Sequence, residues 1–142
     1  MFLSFRGDTR YNFTDHLYAA LVRKGIFTFR DEKKLERGKS IGPELLRAIE
    51  ESRFAVVILS RNYASSSWCL DELAKIVNCR KGMGMVVMPV FYSVNPSDVR
   101  NQSGTFQQAF AEHEANNIQK VETWRAALKE VANLSGWHLQ ER

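Results

Sequence analysis

Residues 53–60 read RFAVVILS, a short and almost unbroken apolar run. It is far too short for a membrane span, which takes about 20 apolar residues. It also lacks the polar–apolar alternation of a strand with one wet face. Aliphatic and β-branched residues in succession suit a strand covered on both faces, the place of a central strand in a parallel sheet. Parallel neighbours need crossover connections, usually helices, so this run predicts helical segments around it.

The remainder of the chain supplies them. Short apolar runs at 1–5 (MFLSF), 26–30 (IFTFR), 85–92 (MVVMPVFY) and 135–140 (SGWHLQ) read as four further strands. Between them, 11–25 carries Phe13, Leu17, Ala20 and Leu21 at helical spacing and stops at Gly25. Pro43 suits the first position of a helix over 43–52. Further helices are predicted from the mid-60s to about Arg80, over 105–115 and over 120–134. Residues 31–42 form a long charged loop and 93–104 a polar one, while Pro89 predicts a place near an edge or bulge. The expectation is a single α/β domain over residues 1–142: a flavodoxin-like three-layer sandwich with five parallel strands in the order 2-1-3-4-5. Ligands of such sheets bind beyond the carboxyl ends of the strands where the winding reverses, here between strands 1 and 3. The loops leaving those strands are RGDTR (6–10) and RNYASSSW (61–68).

Composition narrows the classes. The 20 basic and 16 acidic side chains are interspersed, and the net charge of +4 includes no basic block of the kind that holds nucleic acid. A mild basic excess suits an anionic small ligand equally well, so nucleic acid is not expected as the main partner. Two cysteines, no membrane-length run and no signal peptide before the first strand predict a cytoplasmic or nucleocytoplasmic protein with no membrane contact. Cys69 and Cys79 lie about three turns apart on one helix, too far to pair or to share a metal. No metal site is expected.

The stretch SSSWCLDEL (65–73) sits where the topology predicts a site. At about 100° per residue, Cys69, Leu70, Leu73, Ile76 and Val77 form the buried stripe. Asp71 falls opposite it, on the solvent side, with Lys75 as an exposed partner. Glu72 falls beside Trp68 on the margin of the stripe, in the first turns of a helix, where an anion is favoured. Glu72 is therefore the candidate carboxylate, although spacing alone fits a partly exposed helix-start acid as well. A single carboxylate can stabilise or trap the oxocarbenium-like ribose formed when the nicotinamide–ribose bond breaks, because the cationic leaving group departs neutral and needs no acid. Arg6 and Arg10 can hold phosphates, Asp31 can reach ribose hydroxyls, and Trp68 offers a stacking face. Other features read as structure. GMG (82–84) precedes a strand and is a turn, Trp124 and Trp137 are core anchors, and Asn62 with Tyr63 shapes the turn into the helix.

The blocks FLSFRGDTRYNFTDHLYAAL, GIFTFRDEKKLERG, AIEESRFAVVILSRNYASSSWCLDEL, PVFYSVNPSDVRNQSGTF and WRAALKEVANLSGWH cover nearly the whole chain in order. Together they resemble the Toll/interleukin-receptor (TIR) domain of plant intracellular immune receptors. The resemblance implies a flavodoxin-like fold, induced self-association into dimers or tetramers, and hydrolysis of NAD+ or NADP+ as substrate, with no bound cofactor. Some members also make cyclic or ADP-ribosylated signalling nucleotides. The family's catalytic glutamate falls on Glu72, its nucleotide-contacting arginine on Arg6, and its glycine on Gly7, where backbone approaches the ligand. Arg10, Asp31 and Trp68 take the remaining nucleotide positions. Asp15 and His16 fall on a self-association surface of the first helix. The chain departs from the family in four places. FRGDTR is one residue shorter than the usual FRGEDTR, and the loop with Glu36 and Arg37 is commonly one residue shorter than here. The family's first strand starts a few residues earlier, and this chain stops at HLQER, before the family's last helix.

Two functions follow as expectations. One is an NAD(P)+ nucleosidase active on assembly, in which the charged loop of one subunit closes over the cleft of its neighbour. The alternative is a homotypic adaptor that performs no chemistry. A phosphorylated receiver domain would need an acidic cluster at strand 1, where this chain has Arg6 and Gly7.

Overall fold

The computed structural model describes residues 1–7, 13–30, 41–116 and 118–140. Five strands, β1 (Phe2–Ser4), β2 (Phe29–Arg30), β3 (Phe54–Leu59), β4 (Val86–Tyr92) and β5 (Trp137–Leu139), form one sheet in the order β2-β1-β3-β4-β5. Every neighbouring pair is parallel. The helices are α1 (Asp15–Arg23), α2 (Pro43–Glu50), α3 (Ser67–Met83), α4 (Pro96–Asn101), α5 (Thr105–Asn116) and α6 (Ile118–Ala132). The flavodoxin-like order expected from the sequence is the order found.

Two apolar clusters lie on the two faces of the sheet. The larger joins Val57, Leu59, Val87 and Phe91 to Leu45 and Ile49 of α2, to Leu70, Leu73 and Ile76 of α3, and to Trp124, Leu128 and Val131 of α6. On the other face Leu3, Phe5, Ile58 and Val90 pack against Phe13, Leu17, Tyr18 and Leu21 from α1 and the residues before it. α3 packs between α2 and α6, so two of its flanks are covered besides the one on the sheet.

Three details differ from the sequence reading. The polar stretch after β4 holds a helix, α4, begun by the Asn95 side chain accepting from Ser97 N–H at 2.9 Å and by Pro96 in the first turn. Only Val99 of α4 is buried, too little apolar periodicity to signal a helix. GMG ends α3 instead of forming a separate turn, with Gly84 as the left-handed cap at φ 72°. Trp137 is no core anchor. It pairs with Val90 on the α1 side of the sheet and is 64% exposed, alongside exposed Phe54, Val86 and Met88.

Pro89 lies in a strand with neighbours on both sides, but β5 begins pairing only at Val90. At Pro89 itself the ladder runs to Val57 of β3 alone, and Gly136 backs onto it from the approach to β5. The residue without an N–H therefore sits where the second ladder has not started.

Candidate functional site

The site is built where β1 and β3 end and α3 begins. Ser66 caps α3 by accepting from the Cys69 N–H at 3.1 Å, which fixes the first turn and with it the directions of Trp68 and Glu72. A 3₁₀ turn, Tyr63–Ser65, bridges β3 to that cap. The Cys69 thiol donates to the Phe5 carbonyl at 3.4 Å and so ties the helix start to the end of β1.

Glu72 is fully buried, at 0% exposure. The partly exposed helix-start acid that spacing also allowed is excluded. Its Oε1 accepts from the Ser4 hydroxyl at 2.8 Å and its Oε2 from the Trp68 indole N–H at 3.2 Å. Ser4 Oγ lies 2.7 Å from the Tyr63 hydroxyl, which also reaches the Cys69 carbonyl at 3.1 Å. Burial first, then the nearness of Cys69 and Glu72, raises the Tyr63 phenol well above its ordinary value, and it stays neutral.

Ser4 and Tyr63 were not among the sequence candidates. The available signal was a lone serine inside MFLSF, a strand otherwise apolar. A buried hydroxyl there needs a partner, and the partner is the carboxylate.

Asp71 corrects the helical wheel. It is not a solvent-side residue paired with Lys75. Its Oδ1 accepts from the Trp124 indole N–H at 3.1 Å, its Oδ2 lies 3.7 Å from Lys120 Nζ, and its side chain is 16% exposed. Lys75 instead meets Glu50 of α2 at 2.6 Å. The wheel assumed a helix with one buried face, whereas α3 is flanked by α2 and α6 as well as by the sheet.

Arg6 donates to the Asn62 carbonyl at 3.1 Å, linking the loops that leave β1 and β3. The structure thus brings Arg6, Trp68 and Glu72 to the same end of the sheet, at the winding reversal. Gly7 is exposed, and among the described residues a Cβ there would meet nothing within 4 Å. Arg10, Asp31, Glu36 and Arg37 lie outside the described residues. On α1, Asp15 pairs with Arg30 of β2, whose guanidinium lies 4.2 Å from the Tyr18 ring centroid, while His16 is exposed. A hollow of about 570 Å³ at the amino ends of β1, β2 and β3 gathers Phe27, Phe29, Arg47, Arg53 and Phe54. It lies at the opposite end of the sheet and holds none of the site candidates.

The sequence model described as the TIR domain matches residues 1–142. The chain belongs to the TIR domain family. Over 140 residues it is 63% identical to the disease resistance protein RPV1 of Vitis rotundifolia, covering 98% of this chain and 10% of that protein. It is 54% identical over 140 residues to the TMV resistance protein N of Nicotiana glutinosa, covering 96% of this chain and 12% of that one. This TIR domain therefore spans about a tenth of the length of these relatives. Among solved structures, the TIR domains of the activated Roq1 resistosome, which recognises the pathogen effector XopQ, superpose with a TM-score of 0.88 at 56% identity, covering 97% of this chain and 86% of that one. A TIR domain of the RPS4–RRS1 heterodimer gives 0.53 at 22% identity, covering 99% of this chain and 82% of that one, and shares the fold. Among the described residues no helix is long and apolar enough to cross a membrane.

Proposed function

We propose that this TIR domain hydrolyses the nicotinamide–ribose bond of NAD+ or NADP+ when self-associated, and that it acts in plant immune signalling through ADP-ribose-type products. The observation that carries the chemistry is a buried glutamate held by two side-chain donors at the winding reversal, with an arginine on the adjoining loop. Two fixed donors hold the carboxyl group in one orientation. In a dry setting its charge acts strongly on a developing ribosyl cation. Breaking the C1′–N bond leaves neutral nicotinamide and a cation on the ribose. The carboxylate stabilises that cation until water adds. Arg6 supplies a positive group for the phosphates, and the exposed Gly7 beside it, which has no side chain, lets backbone approach them. The immune role and the assembly rest on kinship with plant resistance proteins and with the TIR domains of the Roq1 resistosome.

One observation favours the adaptor reading instead. Both Glu72 oxygens already have donors inside the protein, as they would in a carboxylate whose only task is to pin α3 to β1. Nicotinamide release separates the two. The wild-type domain is expected to release nicotinamide from NAD+ at a rate that rises faster than protein concentration. Glu72→Gln, which keeps an acceptor for Ser4, should fold and release less than about a hundredth as much. Equal release by both proteins, or none by either at high concentration, leaves the adaptor reading in place.

A further inference from the structure

Tyr63 stands where the hydrogen bonds that join β1, β3 and α3 meet. It opens the 3₁₀ turn after β3. Its N–H donates to the Ser60 carbonyl at 3.2 Å, and its carbonyl accepts at 3.2 Å from the N–H of Ser66, the cap of α3. α5 steadies the turn from outside. The next carbonyl, that of Ala64, lies 2.7 Å from His113 Nε2, and because a carbonyl only accepts, the ring nitrogen donates. On this fixed backbone the phenol is fully buried, with its oxygen 2.7 Å from Ser4 Oγ and 3.1 Å from the Cys69 carbonyl.

A serine hydroxyl holds one proton and turns to suit its partners. The working form of Glu72 in the proposed reaction is the carboxylate, which only accepts. The Ser4 proton therefore lies along the 2.8 Å contact to Oε1. Ser4 then has no proton to give Tyr63, so the contact between the two hydroxyls takes the proton of the phenol. Burial first, then the nearness of Cys69 and Glu72, keeps that proton on the phenol. The Cys69 carbonyl is the more distant acceptor for the same proton. A donor behind Ser4 fixes the direction in which its hydroxyl points. It also polarises the Ser4 O–H bond and so strengthens the donation to the carboxylate.

We propose that Tyr63 is a positioning residue of the nucleosidase: it holds the Ser4 hydroxyl against Glu72 and through Ser4 sets the place of the carboxylate. The proposal rests on the nucleosidase reading and adds a residue that acts on the reaction from behind the site.

Tyr63→Phe keeps the ring and its packing and removes only the hydroxyl. Ser4→Ala removes the intermediary. If Tyr63 acts through Ser4, the two changes are not additive. Rates are compared at a protein concentration where the rate per molecule no longer rises. There Tyr63→Phe should lower kcat by about tenfold and leave KM within about twofold of wild type. Made in the Ser4→Ala domain, the same change should lower kcat by less than about twofold further. A loosened fold would give the same loss in both backgrounds.

The indole signals of a 15N–1H spectrum report position without catalysis. The Trp68 N–H donates to Glu72 and the Trp124 N–H to Asp71, so the first reads the Glu72 carboxylate and the second the neighbouring turn of α3. Tyr63→Phe should shift the Trp68 signal and leave that of Trp124 in place. Added to Ser4→Ala, it should shift neither further. A tyrosine fluorinated beside its hydroxyl, placed at position 63, keeps nearly the same shape and donates more strongly. It should shift the Trp68 signal in the opposite direction, and it decides the matter where either deletion fails to fold. A Trp68 signal unmoved by the changes at Tyr63, joint movement of both indoles, or equal effects in the two Ser4 backgrounds would overturn the role of Tyr63. The expected indole shifts in a domain that releases no nicotinamide would uphold the hold of Tyr63 on Glu72 and refute the nucleosidase.

Discussion

Asp71 and Glu72 are neighbours in sequence with opposite surroundings. Glu72 turns toward the end of β1 and its hydroxyls, Asp71 toward the indole of α6. Trp124 is buried, so removing its acceptor leaves an N–H without a partner away from water. Asp71→Ala is expected to lower unfolding free energy by about 1–3 kcal/mol, and Asp71→Asn, which keeps an acceptor oxygen, by less than about 1 kcal/mol. Neither should change nicotinamide release per folded molecule. Denaturant titration of the three proteins decides it, and equal midpoints would show that the Trp124 bond contributes nothing. The Lys120 contact at 3.7 Å adds little, because its ammonium is half exposed. The sequence sufficed to choose Glu72 over Asp71 as the candidate carboxylate, since the wheel set Glu72 beside Trp68. It could not show that Glu72 is fully enclosed. That depends on Ser4, 68 positions away, meeting it across the sheet.

Among the elements, the central strands and long helices were legible because their apolar spacing is imposed by burial on both faces of the sheet. α4 was not, because a six-residue helix held by its cap needs no periodic apolar face. The approach to β5 carries a constraint that spacing does not reveal. A Cβ on Gly136 would stand 2.1 Å from the Pro89 carbonyl oxygen, a backbone atom with little room to move. The strand pair closes only because position 136 lacks a side chain. Gly136→Ala should therefore push β5 off β4 and destabilise the domain by about 1–3 kcal/mol, as other overpacking changes do. Hydrogen exchange should show faster opening at Val90 and Tyr92 than at Val57. An unchanged melting temperature would mean that β5 can shift at no cost. Trp137, the first residue of that strand, should stay exposed in both proteins.

For the molecule as a whole, the two sheet faces are unequally dressed. α2, α3 and α6 cover one and α1 covers part of the other. Assembly in the proposed mechanism concerns α1, and the two residues that the family resemblance points to there differ in kind. Asp15 is engaged within its own chain, paired with Arg30, which in turn lies over Tyr18. Replacing it disturbs the join between α1 and β2 as well as any surface. His16 is exposed and projects from the same turn of the helix. His16→Ala should therefore weaken self-association several-fold while leaving the melting temperature within about 1 °C, the usual outcome for a surface substitution. Asp15→Ala should change both association and stability. Sedimentation velocity over a concentration series measures the first, and calorimetry the second. If nicotinamide release requires assembly, the His16→Ala protein should regain the wild-type rate once concentration compensates for its weaker association. A rate that stays low at every concentration would instead place His16 in the fold of the site. Association unchanged by His16→Ala would remove α1 as the contact surface and leave the assembly to be sought elsewhere.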